Sequence, residues 1–146
     1  MGVYKDIKNK IKTELESIQK DGSDLYVSVH TAPRNQYDGF PSAVIVPGGT
    51  ESDYGSVAEN DRTQTFTVLT NISIANTSDG AVETAFDTMY DIIDLVMNHF
   101  DSKPDLDGLV IYTNPSFGDW GQDSDGNFLY FTMNLEVRHS VNIYTS

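Results

Sequence analysis

Within the stretch GDWGQDSDGNFLYF, Asp123, Ser124, Asp125 and Gly126 have the residue types of a calcium loop. An EF-hand loop takes oxygen ligands at positions 1, 3 and 5, a glycine at 6 and a bidentate Glu at 12. With Asp123 and Asp125 at positions 3 and 5, Gly126 falls at 6, but position 1 is Gly121 and position 12 is Thr132. Neither offers a carboxylate. The residues after Gly126 alternate with period two, so Asp-Gly reads as a turn that launches a strand. No metal and no cofactor are expected.

Other chemistry is equally thin. His30, His99 and His139 have no paired spacing of the kind a zinc site needs, and read as structural or surface residues. Cysteine is absent, which removes disulfides, thiolate metal sites and cysteine nucleophiles. The run PGGT at 47–50 lacks the Gly-Lys-Ser/Thr of a P-loop, and no Gly-x-Ser-x-Gly elbow occurs. Carboxylate pairs are plentiful, and their abundance makes any single pair uninformative. No catalytic residue is assigned, and the chain is not expected to be an enzyme.

Charge says more. The net charge is −13. Residues 1–20 carry five lysines against three carboxylates, while the rest of the chain carries four cations and nineteen carboxylates. Such a body repels a phosphate backbone, so DNA is not a specific ligand. Glu83, Asp87, Asp91 and Asp94 fall on one helix face, and no Lys or Arg occurs between residues 63 and 102. This stripe reads as a solvated face, as a surface passing a polyanion without sticking, or as a match for the Lys-rich first helix of a neighbouring copy. Arg62, beside Glu59 and Asp61, is a rare cation opening a long strand. It reads as a paired surface residue or a subunit contact.

These residues need a scaffold. Residues 3–20 are predicted to be an amphipathic helix with Ile7, Ile11, Leu15 and Ile18 on one stripe. Strands are expected at 24–30, 42–47 (stopped by Pro47-Gly48-Gly49), 62–76 and 109–114. Polar loops or arms are expected at 48–60 and 115–126. A second helix spans 80–100, with capping chemistry in Thr77-Ser78-Asp79-Gly80. The last strand runs from about 127 to about 144. Leu129, Phe131, Met133, Leu135, Val137, Val141 and Ile143 share one of its faces, and Arg138 lies on the other. The pattern is α+β: one domain over 1–146, a mainly antiparallel sheet with two long strands, and two helices packed on one face. No run of about 18 apolar residues occurs, so no membrane-spanning helix is expected. The charged N-terminal stretch does not read as a secretory signal.

The stretch GFPSAVIVPGGTESDYGSVAENDRTQTFTVLTNI resembles a segment of the tail-terminator (tail-completion) proteins of tailed bacteriophages. The resemblance rests on Phe40, Pro41, Ala43 and Pro47, on Glu51 to Tyr54, and on Arg62 and Phe66. The helix ETAFDTMYDIIDLVMNHFD and the Trp120–turn–long-strand ending fit the same family, and the element order covers essentially the whole chain. The resemblance implies a lambda-like tail-terminator fold and a non-enzymatic virion protein, made in the bacterial cytoplasm and assembled as a hexameric ring. Its partners would be further copies of itself, the tail tube protein and the head–tail connector, with DNA passing through. Contacts are then expected at Asp53, Tyr54, Arg62 and Arg138, and a channel lining at Glu83, Asp87, Asp91 and Asp94. A neck, head-completion or tail tube protein is the neighbouring alternative. An acidic DNA-mimic inhibitor is the alternative of another class.

Overall fold

The computed structural model describes residues 3–33, 39–53, 59–74, 79–123 and 127–142. Along the chain stand α1 (Val3–Ser17), β1 (Gln19–Lys20), β2 (Ser23–Asp24), β3 (Ser28–His30), β4 (Ser42–Asp53), β5 (Glu59–Ser73), α2 (Asp79–Asp101), β6 (Tyr112–Gln122) and β7 (Phe128–Asn142). The class is α+β, as the patterning predicts. The main sheet has the order β3-β4-β5-β7-β6, antiparallel except between β3 and β4.

Ile7, Ile11, Leu15 and Ile18 form the buried stripe of α1. The helix stops short of Lys20, because Lys20 pairs with Ser23 in a two-residue hairpin. Asp21 and Gly22 take φ of 54° and 82°, the two positive values that a type I′ turn needs. Of the strand predicted at 24–30, only Ser28–His30 joins the sheet. Leu25 and Tyr26 are both buried while Val27 is exposed, a sequence that simple alternation cannot give. The Leu25 amide donates to the Ile18 carbonyl and that of Val27 to Pro41, fixing this segment outside the ladder.

Two predicted loops are strand. Pro47-Gly48-Gly49 does not stop β4, and much of the 48–60 arm is the paired end of the β4–β5 hairpin, with Asp53 opposite Asp61. β3 covers β4 only from Ser42 to Val44. Pro47 therefore sits where β4 is an edge, and a missing N–H is tolerated there. Register shifts between Pro47 and Thr50, and a Cβ on Gly48 would lie 2.9 Å from the Thr65 carbonyl oxygen. Likewise β6 begins at Tyr112 and continues through Pro115 to Gln122, so most of the predicted 115–126 loop is an edge strand. A register shift between Phe117 and Trp120 interrupts it.

Both helices cover one face of the sheet. α1 lies over its β3 side, with Tyr4 edge-on to Phe66, and α2 over its β6 side, with Phe86 edge-on to Trp120 at 5.1 Å. Between them lie Phe66, Val68 and Ile72 of β5 and Leu129, Phe131, Met133, Leu135 and Val137 of β7, as the alternation predicts. The side chain of Val141, and Ile143, Thr77 and Ser78, lie outside the described residues. The opposite face is mixed, carrying Val44, Leu69 and Tyr130 beside polar pairs such as Thr67 Oγ1 donating to Asn134 Oδ1 at 3.0 Å. Among the described residues the apolar cluster reaches Phe66 on β5 and Val137 on β7, and the β5–β7 ladder continues to Glu59 opposite Asn142.

Candidate functional site

The ladder beyond the core carries the predicted contact residues. Arg62 stands opposite His139, and Thr63 opposite Arg138. Alternation therefore puts Arg62 on the helix side and Arg138 on the other face, so the two arginines do not form one surface. Arg138 donates through Nη2 to Asp61 Oδ2 at 3.0 Å, and Ser140 Oγ donates to Asp61 Oδ1 at 2.6 Å. The hydrogen bonds from Ser140 and then Arg138 hold the Asp61 carboxyl below its usual range, and Asp61 in turn holds the Arg138 guanidinium up. Beside them Tyr112 donates to Glu136 Oε1 at 3.2 Å. Arg62 makes no ion pair among the described residues. Asp53 ends β4, but its side chain lies outside the described residues, as does Tyr54.

On the helix side of the same region, polar atoms are buried without partners. Gln64 and Thr113 both stand opposite Val137, and His139 follows on β7. Gln64 Oε1, Thr113 Oγ1 and both ring nitrogens of His139 have no hydrogen-bond partner among the described residues. His139 is 2% exposed. Burial, and then the nearby Arg62 charge, push its pKa down, with Asp61 opposing. Shared parity with the apolar residues of β7 was the sequence signal for this burial.

The acidic stripe is exposed on α2, but it is not uniform. Asp91 Oδ2 accepts from Lys20 Nζ at 3.1 Å, so the cation that meets it comes from the same chain. That pair borders an open hollow of about 460 Å³ lined by Gln19, Lys20, Asp21, Asp91, Asp94 and Leu95. Glu83, Asp87 and Asp94 make no ion pair among the described residues.

Sequence reading missed one cluster, the seam between the helices. Glu14 is 3% exposed. Its carboxylate meets His99 Nε2 at 2.8 Å, Lys10 Nζ at 3.1 Å and Lys103 Nζ at 3.2 Å. Lys10 also reaches Asp107 at 2.7 Å. Burial alone would raise the Glu14 pKa, but the hydrogen bonds from His99, Lys10 and Lys103 outweigh it and the carboxyl titrates below its usual range. The available signal was positional, since residue 14 falls inside the arc set by Ile7, Ile11, Leu15 and Ile18.

Asp123 closes the last turn. Its Oδ1 accepts from the amides of Asn127 at 2.7 Å and Phe128 at 3.0 Å. Asp125 and Gly126 lie outside the described residues. His30 Nε2 lies 3.1 Å from Ser28 Oγ. Among the described residues, no three His, Asp or Glu side chains are grouped to hold a metal ion, and no helix is long and apolar enough to cross a membrane. Compared with known proteins, the sequence matches no family model and no curated protein.

Proposed function

We propose that this chain is a structural subunit of a phage tail, a terminator that caps the tail tube and stops its polymerisation. It works as a ring of identical copies and offers its other side to the head–tail connector. The mechanism is surface complementarity rather than chemistry. DNA passes the ring without specific binding, and the protein resides in the virion. The observation that carries this reading is the paired ladder that outruns its own core. From Arg62 and His139 onward, β5 and β7 stay hydrogen-bonded, while among the described residues the apolar cluster reaches only Phe66 and Val137. A long paired extension of this kind suits a part that packs on neighbouring subunits. The family resemblance of the sequence and the α+β order of elements support the same reading.

The test is electron microscopy of particles assembled without this protein. Overlong tails detached from DNA-filled heads are expected. Tails of normal length that fail to join heads would move the protein to the neck, and absence of any tail would make it a tube subunit. Complete infectious particles would refute a structural role and bring forward an acidic inhibitor of a basic host protein.

A further inference from the structure

Among the described residues, three large aromatic side chains stand exposed on the helix side of the β6 end of the molecule. Trp120 is 48% exposed and Phe117 41%. Tyr90, 59% exposed, lies one helical turn after Phe86 and shares its flank of α2. Exposed aromatics gathered at one edge mark a contact surface. Above them runs the unpaired part of the acidic row, Glu83, Asp87 and Asp94. Asp91 leans the other way, to Lys20. This end of the molecule is therefore apolar at its base and negative at its rim.

The opposite end carries the reverse charge. Lys10 and Glu14 of α1 turn toward α2, where they meet Asp107, His99 and Lys103. At 100° per residue, Lys5, Lys8 and Lys12 then fall on the outer flank of α1, over the β3 side of the sheet. Lys12 is engaged by Glu16 at 2.9 Å. Lys5 and Lys8 form no ion pair among the described residues.

We infer that these two ends are the halves of one head-to-tail contact between copies of this chain. The lysine flank of α1 in one copy seats on the aromatic, acidic α2–β6 end of the next. Charge selects the occupant. A chain of net charge −13 meets repulsion from its own kind almost everywhere, and the outer flank of α1 is its concentrated basic surface. The two halves lie at opposite ends of the order β3-β4-β5-β7-β6, so a head-to-tail pair leaves one half of each copy unsatisfied. The contact is heterologous and propagates into a ring or a filament. It deepens the ring reading above, and rests on it only for the closed shape.

Light scattering on purified full-length chain at low ionic strength tests the contact. Wild type is expected to form multimers that dissociate in high salt. Lys5→Glu with Lys8→Glu, and separately Glu83→Lys with Asp87→Lys, are each expected to give folded monomers by circular dichroism. An equimolar mixture of the two variants is expected to regain multimers, because each reversed flank then meets an opposite charge. Tyr90→Ser, an exposed position, is expected to weaken association by about tenfold or more. A wild type that stays monomeric at its highest soluble concentration would overturn the contact. So would multimers that survive both reversals, or a mixture that fails to recover. None of these bears on tail length in particles lacking the protein, so the capping role fails or stands separately.

Discussion

Neutralising Glu14 tests the seam between the helices. Glu14→Gln keeps the shape and removes the charge that three donors face at 2.8, 3.1 and 3.2 Å. Losing one member of a fully buried ion pair costs roughly 3–5 kcal/mol. The loss here is smaller, because His99, Lys10 and Lys103 keep partial solvent access, and both lysines retain Asp107. Charge-assisted hydrogen bonds contribute about 1.5–3 kcal/mol, so a loss of about 2 kcal/mol is expected. For a chain of this size that is roughly 6 °C in unfolding midpoint. Trp120 is the only tryptophan and rests on Phe86 of α2, so its fluorescence reports docking of that helix. Urea unfolding at neutral pH should show the shift, whereas Lys12→Ala, at an exposed i,i+4 pair, should change stability by less than about 0.5 kcal/mol.

The pH dependence has a definite sign. The folded pKa of Glu14 is depressed. Its contribution is therefore complete above the unfolded carboxylate value of about 4.3 and fades as pH falls toward the lower folded value. The gap between wild type and Glu14→Gln should be full at pH 7 and narrow below about pH 4.3. A gap under about 0.5 kcal/mol at pH 7, or one that does not narrow in acid, would show that the cluster is a solvated rim with no hold on the helices.

His139→Leu should raise stability by about 1 kcal/mol, read by urea unfolding, because it replaces a buried ring whose two nitrogens have no partner among the described residues. The depressed His139 pKa withdraws stability as pH falls through about 6.5 and below, and that slope should vanish in the variant. Gly48→Ala should cost about 1–3 kcal/mol in the same assay, because its Cβ would press on the Thr65 carbonyl oxygen at 2.9 Å. Asp61→Asn should speed amide exchange in the ends of β5 and β7 without changing it at Phe66 or Phe131, since Asp61 ties Arg138 and Ser140 outside the core.

The helices and the long strands were legible because their periods are long and clean. Ile7, Ile11, Leu15 and Ile18 mark α1, and the alternation of Leu129 to Val137 marks the buried face of β7. The two misread loops share one cause. Pro47 and Pro115 look like strand breakers until the sheet order puts them on edges, and that order is a long-range property which no local window contains. The segment Leu25–Tyr26–Val27 failed for a related reason, since bonds to Ile18 and Pro41 override its alternation. Among the expected contact residues, Arg62 was read as a rare cation and Arg138 as a residue of the polar face of the last strand, but the placement of the two on opposite faces needed the register with His139 and Thr63. Glu14 was the reverse case, visible inside the apolar arc of α1, while two of its partners, His99 and Lys103, lie more than 80 residues away.

Glu83, Asp87 and Asp94 cannot serve both roles that their charge suggests. If they line a channel, they face DNA and must stay clear of cations, because a neutralised wall would let the polymer stick. If they receive the lysine flank of a neighbouring copy, they are covered in the ring and lie between subunits. The exposed aromatics beneath them favour the second role, since Tyr90 and Trp120 in a wetted channel would leave apolar surface in water with no offsetting contact. Glu83→Lys with Asp87→Lys separates the two in assembled particles. In the contact role, rings do not form and tails run overlong, and the same tails become normal when the Lys5→Glu, Lys8→Glu chain is supplied alongside. In the lining role, rings and tail lengths are normal and only the passage of DNA slows, more strongly at low salt. Normal tails with slowed DNA would remove these carboxylates from the subunit contact and return them to the channel.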